Sequence, residues 1–371
     1  MTKEIRVSKS VIGSEEKEAV LNVLQHEYLG MGKDVKVFED ILKDYFNRDV
    51  VCVNTGTAAL HLALQAIGIK NGDEVLVQSL TYLATFQAIS ATGATPVPCE
   101  IREDTFTIDL NDAEQKLTER TKVILPVHYA GCSGNLDAIY KFAEKNKLRV
   151  VEDAAHAFGT VYNDKLIGSF GDIACFSFDG IKNITSGEGG AIVSKDKTII
   201  QKISDARLLG VIKDSEKRYL GERSWEYDVE EQGWRYHMSN IMAAIGIEQF
   251  KKFPLFKKQR QRLAKLYQKF LKDVDGIELL KHDYDLVVPH IFVLRVKKIN
   301  RDLVRERLKN LGIHTGIHYK PNHLLKYFDS GKKFLLPITE KIYNEIITLP
   351  LHPDLTFDDV EYISHELKKF F

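Results

Sequence analysis

The chain has 371 residues, 44% of them hydrophobic, and its formal net charge is zero. This length allows a large buried core and either two domains or one large domain with a smaller one appended. Because no long basic run is present, neither nucleic acid nor an anionic membrane is an expected partner. No segment approaches the roughly 20 apolar residues that span a bilayer, and MTKEIRVSKS lacks the apolar core of a signal peptide.

The chain has four cysteines, Cys52, Cys99, Cys132 and Cys175, and they are dispersed without a CxxC pair. Three of them, Cys52, Cys99 and Cys175, lie in or beside apolar strand-like runs and are predicted to be core thiols. This usage predicts a protein of the reduced cytoplasm.

Helices and strands are predicted to alternate through the first 150 residues. Two helices, over 14–28 with Ser14 as N-cap and over 35–46, come first. The predicted strands that follow are VVCVN, EVLVQS, residues 95–98, KVILPV and RVVED, with helices beginning at Thr57, Ala84 and Leu136. Such alternation is typical of βαβ units on a parallel sheet.

The character of the sequence changes near Gln249. The segment FKKFPLFKKQRQRLAKLYQKFLKDV predicts a long basic amphipathic helix with Pro254 near its start. Such a helix suits a membrane surface or a partner groove, but a solvated face that connects two domains is favoured. The segments HIFVLRV, DLVRERLKNLG, HTGIHY and DDVEYISHELKKFF predict a small α+β domain. The predicted division is a large domain over 1–250 and a small one over 251–371.

An acid and a lysine follow two apolar runs in the middle of the chain. Asp153 ends RVVED, and Lys182 lies in a glycine-rich turn after the run 173–178. Ligands of open α/β sheets bind at the carboxyl ends of the strands. Pyridoxal phosphate needs a desolvated lysine for its covalent bond and a carboxylate that keeps its pyridine nitrogen protonated. A capping acid and a solvated lysine are the alternative interpretation.

The segment NTGTAA, residues 54–59, lies between a predicted strand and a predicted helix. A helix N-terminus offers free N–H groups and the positive end of its dipole to an anion. Gly56 lets the backbone approach a ligand closely. The pattern therefore indicates a phosphate site or an ordinary turn capped by threonine.

Between Val50 and Gly190 the chain resembles the DegT–StrS family of sugar aminotransferases, which are fold-type I pyridoxal phosphate enzymes. The matching pieces follow the family order and spacing and extend over nearly the whole chain. They are VNTGTAALHLAL, GDEVLVQSLTYLATFQAI, PVHYAG, EDAAHAFGT, GSFGDIACFSF, KNITSGEGGAIV, GWRYHMSNIMAAIGIEQF and GIHTGIHYKP. The resemblance implies an α/β fold with a large cofactor-binding domain, a mainly parallel central sheet and a smaller C-terminal α+β domain.

The resemblance also implies the roles of individual residues. It implies that the cofactor phosphate is bound by Gly56, Thr57, Ala58 and Ser177. It further implies that Tyr82 stacks on the cofactor ring and that His156 lies near this ring. Asp153 would contact the pyridine nitrogen, and Lys182 would form the covalent bond. Without the resemblance, Tyr82 is equally a core or interface tyrosine, and His156 a satisfied core histidine. The histidines lack ligand-type spacing, so no metal is expected.

The chain departs from the family pattern at two places. Asp179-Gly180 replaces the usual His-Pro and puts an acid near Lys182. This acid is expected to adjust the pKa of the lysine or to contact the substrate, and a role in the turn alone is the alternative. Gly233-Trp234-Arg235-Tyr236-His237 replaces a Gly-Tyr-Asn-Tyr-Arg motif whose asparagine reaches the cofactor phosphate of the partner subunit. Arg235 is expected to make that contact by a charge-assisted bond. The presence of Lys182 disfavours the family's 3-dehydrase branch, which has histidine there.

The resemblance implies a homodimer that moves an amino group from L-glutamate to a keto-sugar on a nucleoside diphosphate, for surface polysaccharide or lipopolysaccharide. PVHYAG, FSF..IKNIT and TGIHYKPNHLL resemble enzymes that act at C4 of 4-keto-6-deoxyhexoses more than those that act at C3. The expected substrate contacts are Asp179, His318, Tyr319 and Lys320, and a strand-end cluster without function is the alternative. A C3-specific enzyme and a non-catalytic sensor that binds a sugar nucleotide or the cofactor stay open, although Lys182 and Asp153 disfavour the sensor.

Overall fold

The computed structural model describes residues 4–328 and 334–371. Two helices, α1 (Ser14–Gln25) and α2 (Lys33–Phe46), precede the first strand. The N-cap of α1 is Gly13, so the prediction of Ser14 as the cap is wrong. The Gly13 N–H donates to the buried carboxylate of Glu16 at 2.8 Å, and this bond, rather than a serine hydroxyl, closes the first turn.

Short strands and helices alternate from Asp49 onward. The strands are β1 (Asp49–Val53), β2 (Glu74–Gln78), β3 (Thr95–Cys99), β4 (Thr121–Leu125), β5 (Arg149–Asp153), the hairpin β6 (Val161–Tyr162) and β7 (Lys165–Leu166), β8 (Ile173–Ser177) and β9 (Gly190–Ser194). The helices between and after them are α3 (Gly56–Ala66), α4 (Leu83–Ala91), α5 (Leu110–Gln115), α6 (Leu136–Lys145), α7 (Lys197–Ala206) and α8 (Asp214–Tyr219).

The central sheet has seven strands in the order β1-β9-β8-β5-β4-β2-β3. Strand β9 runs antiparallel to β1 and β8, and the other neighbouring pairs are parallel. This confirms the predicted α/β class with a mainly parallel sheet. Asp153 and Ser177 end neighbouring parallel strands, and Gly190 pairs with Ser177. The three residues therefore meet at one edge of the sheet.

Both faces of this sheet are covered, as a parallel sheet requires. On one face the buried aromatic side chains of Phe38, Phe46, Phe158 and Phe176 pack together. On the other face the apolar residues of α3 and α4 pack on alternate strand residues. The strands are consequently apolar on both sides, which is why they are nearly continuous hydrophobic runs in the sequence.

Helix α9 (Asn240–Leu271) is a single 32-residue helix that begins well before the predicted basic helix and includes most of it. Pro254 therefore lies in its interior rather than near a helix start. Proline removes one intrahelical hydrogen bond, and the buried rings of Phe253 and Phe256 hold the helix in place on either side. The predicted boundary between residues 250 and 251 falls inside this helix, and the division into domains remains a prediction.

The apolar first half of α9 packs inside its own chain, against α1 and α2. A Cβ atom on Gly246 would lie 2.6 Å from Ser186 Oγ and 2.7 Å from the ring of Phe38. The small residues of SNIMAAIGIEQF therefore allow close contact with other helices of the same chain.

The C-terminal part is a small α+β unit, as predicted. Strands β10 (Ile277–Leu279), β11 (Phe292–Val296) and β12 (Ile346–Leu349) form an antiparallel sheet in chain order. Helices α10 (Arg301–Asn310), α11 (Pro337–Glu345) and α12 (Phe357–Lys368) accompany it. Its core, which includes Phe292, Leu294 and Ile347, is shared with the second half of α9.

Within residues 4–328 and 334–371, no helix combines the length and the apolar character that crossing a membrane requires. Cys52, Cys99 and Cys175 are buried free thiols, which confirms their prediction as core residues.

Candidate active site

A cavity of about 510 Å³ opens at the carboxyl edge of the central sheet. The predicted site residues that line it are Gly56, Thr57, Tyr82, Asp153, His156, Ser177, Asp179, Lys182, His318 and Tyr319. Three other predicted residues, Ala58, Arg235 and Lys320, are not part of this lining. The fold thus brings residues from both parts of the chain to one site.

Asp153, the last residue of β5, presents a buried carboxylate to the cavity. Its Oδ2 accepts a hydrogen bond from Thr85 Oγ1 at 2.7 Å, and its Oδ1 accepts one from the Ala155 N–H at 3.2 Å. Burial raises the pKa of this carboxyl, and the two hydrogen bonds oppose that effect. An acid held in this way is suited to pair with a cationic group of a ligand.

Lys182 lies in the loop between β8 and β9, where its N–H donates to the Asp179 carbonyl at 3.0 Å. Its amine Nζ is 3.4 Å from His290 Nε2. Burial lowers the pKa of Lys182 to about 8, although Asp153 and Asp179 act in the opposite direction. A sizeable neutral fraction near physiological pH follows, and the neutral amine is the nucleophilic form.

His156 lies in a tight turn after β5, in which the Ala157 N–H donates to the Ala154 carbonyl at 2.9 Å. Its Nε2 is 3.1 Å from the hydroxyl of Tyr319, and its ring centroid is 4.5 Å from that of His290. Burial, with the charge of Lys182, holds the pKa of His156 well below its usual range. The imidazole is therefore neutral at physiological pH and can exchange a hydrogen bond with a ligand.

The N-terminus of α3 faces Ser177 across the cavity floor. Thr55 caps this helix, because its Oγ1 accepts from the Ala58 N–H at 3.0 Å. This bond occupies the amide of Ala58, which is buried. The N–H groups of Gly56 and Thr57 are the first two of the helix and have no intrahelical acceptor. They, rather than Ala58, are oriented for an anion.

Two glycines keep this end of the cavity open. A Cβ on Gly56 would lie 2.8 Å from Ser177 Cβ, and a Cβ on Gly190 would lie 2.5 Å from the Thr55 carbonyl oxygen. Both positions therefore exclude a side chain. The helix N-terminus, the serine hydroxyl and the glycines form a cradle that fits the phosphate end of pyridoxal phosphate, with Asp153 and Lys182 available for its ring nitrogen and its aldehyde.

Tyr82 is the N-cap residue of α4 and lies beside the cavity with 59% of its surface exposed. Its ring centroid is 5.5 Å from that of Tyr319, with 47° between the planes. An exposed ring at this place has a free face on which a planar ligand can stack.

The segment that carries His318 and Tyr319 comes from the C-terminal part and is tied to the loop after β2. Asn322 Nδ2 donates to the Thr81 carbonyl at 2.9 Å, and Ser79 Oγ is 2.7 Å from His323 Nδ1. These bonds hold the segment where the Tyr319 hydroxyl contacts His156 Nε2. The adjacent Lys320 is exposed and outside the cavity lining.

Asp179 takes part in the turn before Lys182 and also lines the cavity. Its N–H donates to Ser177 Oγ and its Oδ1 accepts from the Ile181 N–H, both at 3.3 Å. Glu188 lines the same side, where burial and the charge of Asp179 raise its pKa. Within the lining that the structure describes, Lys182 is the one lysine and there is no arginine. A single chain thus offers little positive charge to an anionic ligand.

Arg235 lies on the protein surface. Its backbone pairs with Leu208, and the carbonyl of the next residue, Tyr236, accepts from the Asn54 N–H at 2.7 Å. The backbone of this segment therefore lies beside the phosphate cradle. The Arg235 side chain, however, is exposed and is not part of the cavity lining of its own chain.

Sequence reasoning missed four residues at or beside the site, namely Thr85, Glu188, His290 and Arg260, whose Nη2 lies 3.4 Å from the carbonyl oxygen of Lys182. Thr85 follows Thr81 by four residues, and their hydroxyls are 2.9 Å apart, but Thr81 precedes α4, so this spacing gave no signal for the contact between Thr85 and Asp153. Glu188 lies within the quoted SGEGG segment. His290 only precedes an apolar strand, and Arg260 is one of many basic residues on α9, so neither gave a signal. Among the described residues, no group of three or more His, Cys, Asp or Glu side chains could hold a metal ion.

Residues 10–368 match the sequence profile of the DegT/DnrJ/EryC1/StrS aminotransferase family. The spore coat polysaccharide biosynthesis protein SpsC of Bacillus subtilis (strain 168) is 36% identical over 364 residues, which cover 95% of this chain and 94% of SpsC. Helicobacter pylori PseC, an aminotransferase involved in the biosynthesis of pseudoaminic acid, superposes with a TM-score of 0.92 at 29% identity, covering 100% of this chain and 99% of that one. The PLP form of Spr1654 from Streptococcus pneumoniae superposes with a TM-score of 0.92 at 30% identity, covering 99% of this chain and 98% of that one.

Proposed function

This chain belongs to the DegT/DnrJ/EryC1/StrS aminotransferase family and is a pyridoxal phosphate-dependent sugar aminotransferase, and we propose that it transfers the amino group of L-glutamate to a keto-sugar linked to a nucleoside diphosphate. The acceptor in this proposal is a 4-keto-6-deoxyhexose, and the product is a 4-amino sugar for a surface polysaccharide. The names of SpsC, which belongs to spore coat polysaccharide biosynthesis, and of PseC, which belongs to pseudoaminic acid biosynthesis, support this class of product. The loops PVHYAG and TGIHYKPNHLL support amination at C4.

The observation that carries the proposal is the meeting of Lys182 and Asp153 in one cavity with the α3 N-terminus. An amine, a carboxylate and a phosphate cradle are the three features that pyridoxal phosphate requires of a protein. They come from three different strand ends, and the sheet order brings them together.

The chain's own residues have distinct binding tasks in this proposal. Gly56, Thr57 and Ser177 hold the phosphate, Asp153 holds the ring nitrogen in its protonated form, and Tyr82 covers one face of the ring. Bound pyridoxal phosphate supplies an aldehyde carbon for covalent bonding to an amine and an electron-withdrawing ring that acidifies the neighbouring C–H bond. Thr85 fixes the carboxylate of Asp153, so this acid needs no reorganisation when the cofactor binds.

Lys182 performs the proton transfer. Lys182 Nζ would accept the proton from the α-carbon of the amino donor as general base and, as general acid, would return it to the aldehyde-derived carbon of the bound cofactor. A pKa of about 8 suits both directions near neutral pH, since neither form of the amine is rare. In the second half of the reaction, with the keto-sugar as acceptor, the same lysine amine would transfer the proton in the reverse direction.

Tyr319, His318 and Asp179 are the substrate contacts in this proposal. Tyr319 and His318 line the cavity from the C-terminal segment, and burial lowers the pKa of His318 to about 4, so its imidazole is neutral. Neutral hydrogen-bonding groups of this kind suit sugar hydroxyls. Lys320, which is exposed outside the cavity, suits the more distant diphosphate.

The proposed assembly is a homodimer in which Arg235 reaches the phosphate of the neighbouring site. Large apolar side chains are exposed on the same stretch of chain, namely Leu209, Ile212, Leu220, Trp225, Tyr227 and Val229. Trp225 is 86% exposed and Leu220 is 78% exposed. The exposure of six large apolar side chains within residues 209–229 supports an interaction surface on this stretch. Because the lining formed by the described residues of one chain offers only Lys182 as a cation, a second chain that brings Arg235 would supply the missing charge.

The test is an assay of the purified protein with L-glutamate and a panel of nucleoside diphosphate keto-sugars, with the aminated carbon identified by NMR. The expected product is the 4-amino sugar, and Lys182→Ala should form none. Lys195→Ala, which replaces an exposed lysine, is the matched control and should be fully active. Amination at C3 would replace the proposed regiochemistry. Sugar-nucleotide binding without turnover across the panel would instead favour a sensor.

A further inference from the structure

Arg260, in the middle of α9, is a buried arginine without a carboxylate partner. Its exposed fraction is 2%, and two other arginines are buried as completely, Arg207 and Arg295. Each of those two forms an ion pair, Arg207 with Glu39 at 2.5 Å and Arg295 with Glu345 at 2.6 Å. Within residues 4–328 and 334–371, no carboxylate lies within ion-pair distance of Arg260, and its Nε has no hydrogen-bond partner. A buried charge with no counter-charge is unfavourable for folding and requires a reason.

The guanidinium of Arg260 instead donates to backbone carbonyl oxygens around the lysine loop. Its Nη2 is 3.4 Å from the carbonyl oxygen of Lys182, and its Nη1 is 3.0 Å from that of His290 and 3.3 Å from that of Leu351. Arg260 therefore joins α9 to the two segments whose side chains meet at the 3.4 Å contact between Lys182 Nζ and His290 Nε2.

We propose that Arg260 is a positioning residue that keeps the amine of Lys182 neutral and fixed, by placing an uncompensated positive charge behind the lysine loop and by clamping that loop to the His290 segment. This inference rests on the proposed role of Lys182 as the cofactor-binding amine. The unpaired state of the guanidinium is essential to it, because a carboxylate partner would cancel the field at the lysine.

The charged and titratable groups that act on Lys182 come from several elements. Asp153 at the end of β5 and Asp179 in the lysine loop favour the ammonium form, whereas burial and Arg260 favour the neutral amine. His290, His156 and His318 face Lys182 from the remaining sides, and burial holds the pKa of each below its ordinary value, so they add no charge at neutral pH. Burial lowers the pKa of Arg260 itself to about 10, which leaves it protonated. Arg260 is thus a cation at neutral pH that opposes two acids.

The experiment measures the reactivity of Lys182 in the full-length, cofactor-free protein. Trace labelling with acetic anhydride across pH 6 to 10, followed by mass spectrometry of the Lys182 peptide, gives the midpoint at which the amine becomes neutral. Because burial is the larger cause of the low pKa of Lys182, Arg260→Met should raise this midpoint by roughly a few tenths of a pH unit, so that labelling at pH 7.5 becomes roughly twofold slower. Arg260→Lys keeps the charge and should keep the midpoint. Arg262→Met removes an exposed charge from the same helix and should leave the midpoint unchanged.

Equal midpoints for wild type and a folded Arg260→Met variant would overturn the proposal, as would an equal shift in Arg262→Met. Arg260→Gln retains an amide donor for the carbonyl oxygens and is the second neutral variant if methionine prevents folding, as judged by circular dichroism. If neither neutral variant folds, Arg260 serves folding alone and the proposal is abandoned. Because the labelling needs neither cofactor nor substrate, its outcome is independent of whether the protein aminates a nucleotide sugar.

Discussion

Thr85 Oγ1 donates a hydrogen bond to Asp153 Oδ2 at 2.7 Å, so a side chain in the first turn of α4 fixes the carboxylate at the end of β5. The hydroxyl of Thr81, in the loop before α4, is 2.9 Å from that of Thr85 and continues the network. The same stretch of chain carries Tyr82 between these two threonines. The loop before α4 and the first turn of this helix thus carry both the threonine that fixes the acid and the exposed ring of Tyr82.

The first prediction concerns the orienting role of Thr85. Thr85→Val keeps the side-chain volume but removes the donor to a charged acceptor, a bond worth about 1.5–3 kcal/mol. We expect turnover to fall by roughly tenfold or more, with weaker cofactor retention and a melting temperature lower by only about a few degrees. Steady-state kinetics and cofactor titration measure both effects. Thr85→Ser restores the hydroxyl and should recover most of the loss, and an unaffected Thr85→Val variant would contradict the role.

The second prediction concerns Asp153 itself. Asp153→Asn keeps the fold but removes the charge that would hold the ring nitrogen protonated. Removing one partner from a buried ion pair typically costs about 3–5 kcal/mol, so turnover should fall by a few hundredfold or more. Asp164→Asn, which changes an exposed acid in a left-handed conformation that asparagine tolerates, is the control and should be fully active. Near-wild-type turnover of Asp153→Asn would reduce the residue to a structural acid.

The central sheet was predictable because its strands are short and apolar on both faces. Segments such as RVVED and EVLVQS have little alternative to a buried parallel strand, and the structure places them at Arg149–Asp153 and Glu74–Gln78. The extent of α9 was not predictable, because Pro254 ordinarily marks a helix start, and tertiary packing of Phe253 and Phe256 overrode that signal.

The part of the site at the strand ends was predictable for the same reason, since Asp153 and Ser177 end adjacent runs. The contribution of the C-terminal part was harder to predict. His290 and Arg260 reach Lys182 only because α9 and the segment before β11 fold back onto the lysine loop, and no local pattern encodes that return. Site residues from distant parts of the sequence could be predicted only where a family motif contains them, as the motif GIHTGIHYKP contains Tyr319.

The third prediction concerns stability and pH in the cofactor-free protein. The folded-state pKa of Lys182 is about 8, below its ordinary value of 10.5. Below pH 8 the lysine is protonated in both the folded and the unfolded state, and the full penalty of burying the ammonium is present. Lys182→Met should therefore be more stable than wild type at pH 7, by an amount on the order of 1–3 kcal/mol.

Between pH 8 and 10.5 the unfolded wild-type chain binds a proton that the folded chain has lost, so the wild-type free energy of unfolding rises relative to that of Lys182→Met. The difference between the two proteins should disappear near pH 10.5. Urea unfolding across this range measures it, and the subtraction removes the tyrosines and cysteines that both proteins share. A constant difference with pH would mean that the pKa of Lys182 is not depressed.

The fourth prediction concerns the covalent bond between cofactor and protein. The purified protein should be yellow, and borohydride should abolish its absorption band irreversibly and fix the cofactor on the peptide that contains Lys182. Lys182→Ala should bind the cofactor without fixing it, whereas Lys195→Ala should behave as wild type. Mass spectrometry of the reduced protein locates the bond, and a reducible linkage with full turnover in Lys182→Ala would exclude the assignment.

The final prediction is that Arg235 completes the active site of the partner subunit. Its side chain is exposed and outside its own cavity lining, beside a stretch with exposed Leu209, Trp225 and Tyr227. An obligate interface commonly buries more than ~2,000 Å², so dilution should not release active monomers. Arg235→Ala should weaken cofactor retention more than it lowers the melting temperature, because the guanidinium binds a phosphate rather than the fold.

Mixing two inactive variants, Lys182→Ala and Arg235→Ala, under subunit exchange tests this arrangement at a cofactor concentration where neither parent turns over. In a mixed dimer, one site combines native Lys182 with native Arg235 from the other chain, and the second site carries both lesions. Statistical exchange should thus restore about a quarter of the wild-type activity, since half of the dimers are mixed and each has one intact site. Lys182→Ala mixed with Asp153→Asn is the control, because both residues serve the same chain and no intact site can form. Absence of recovery in the first mixture, with exchange demonstrated by differently tagged subunits, would mean that Arg235 acts within its own subunit or not at all.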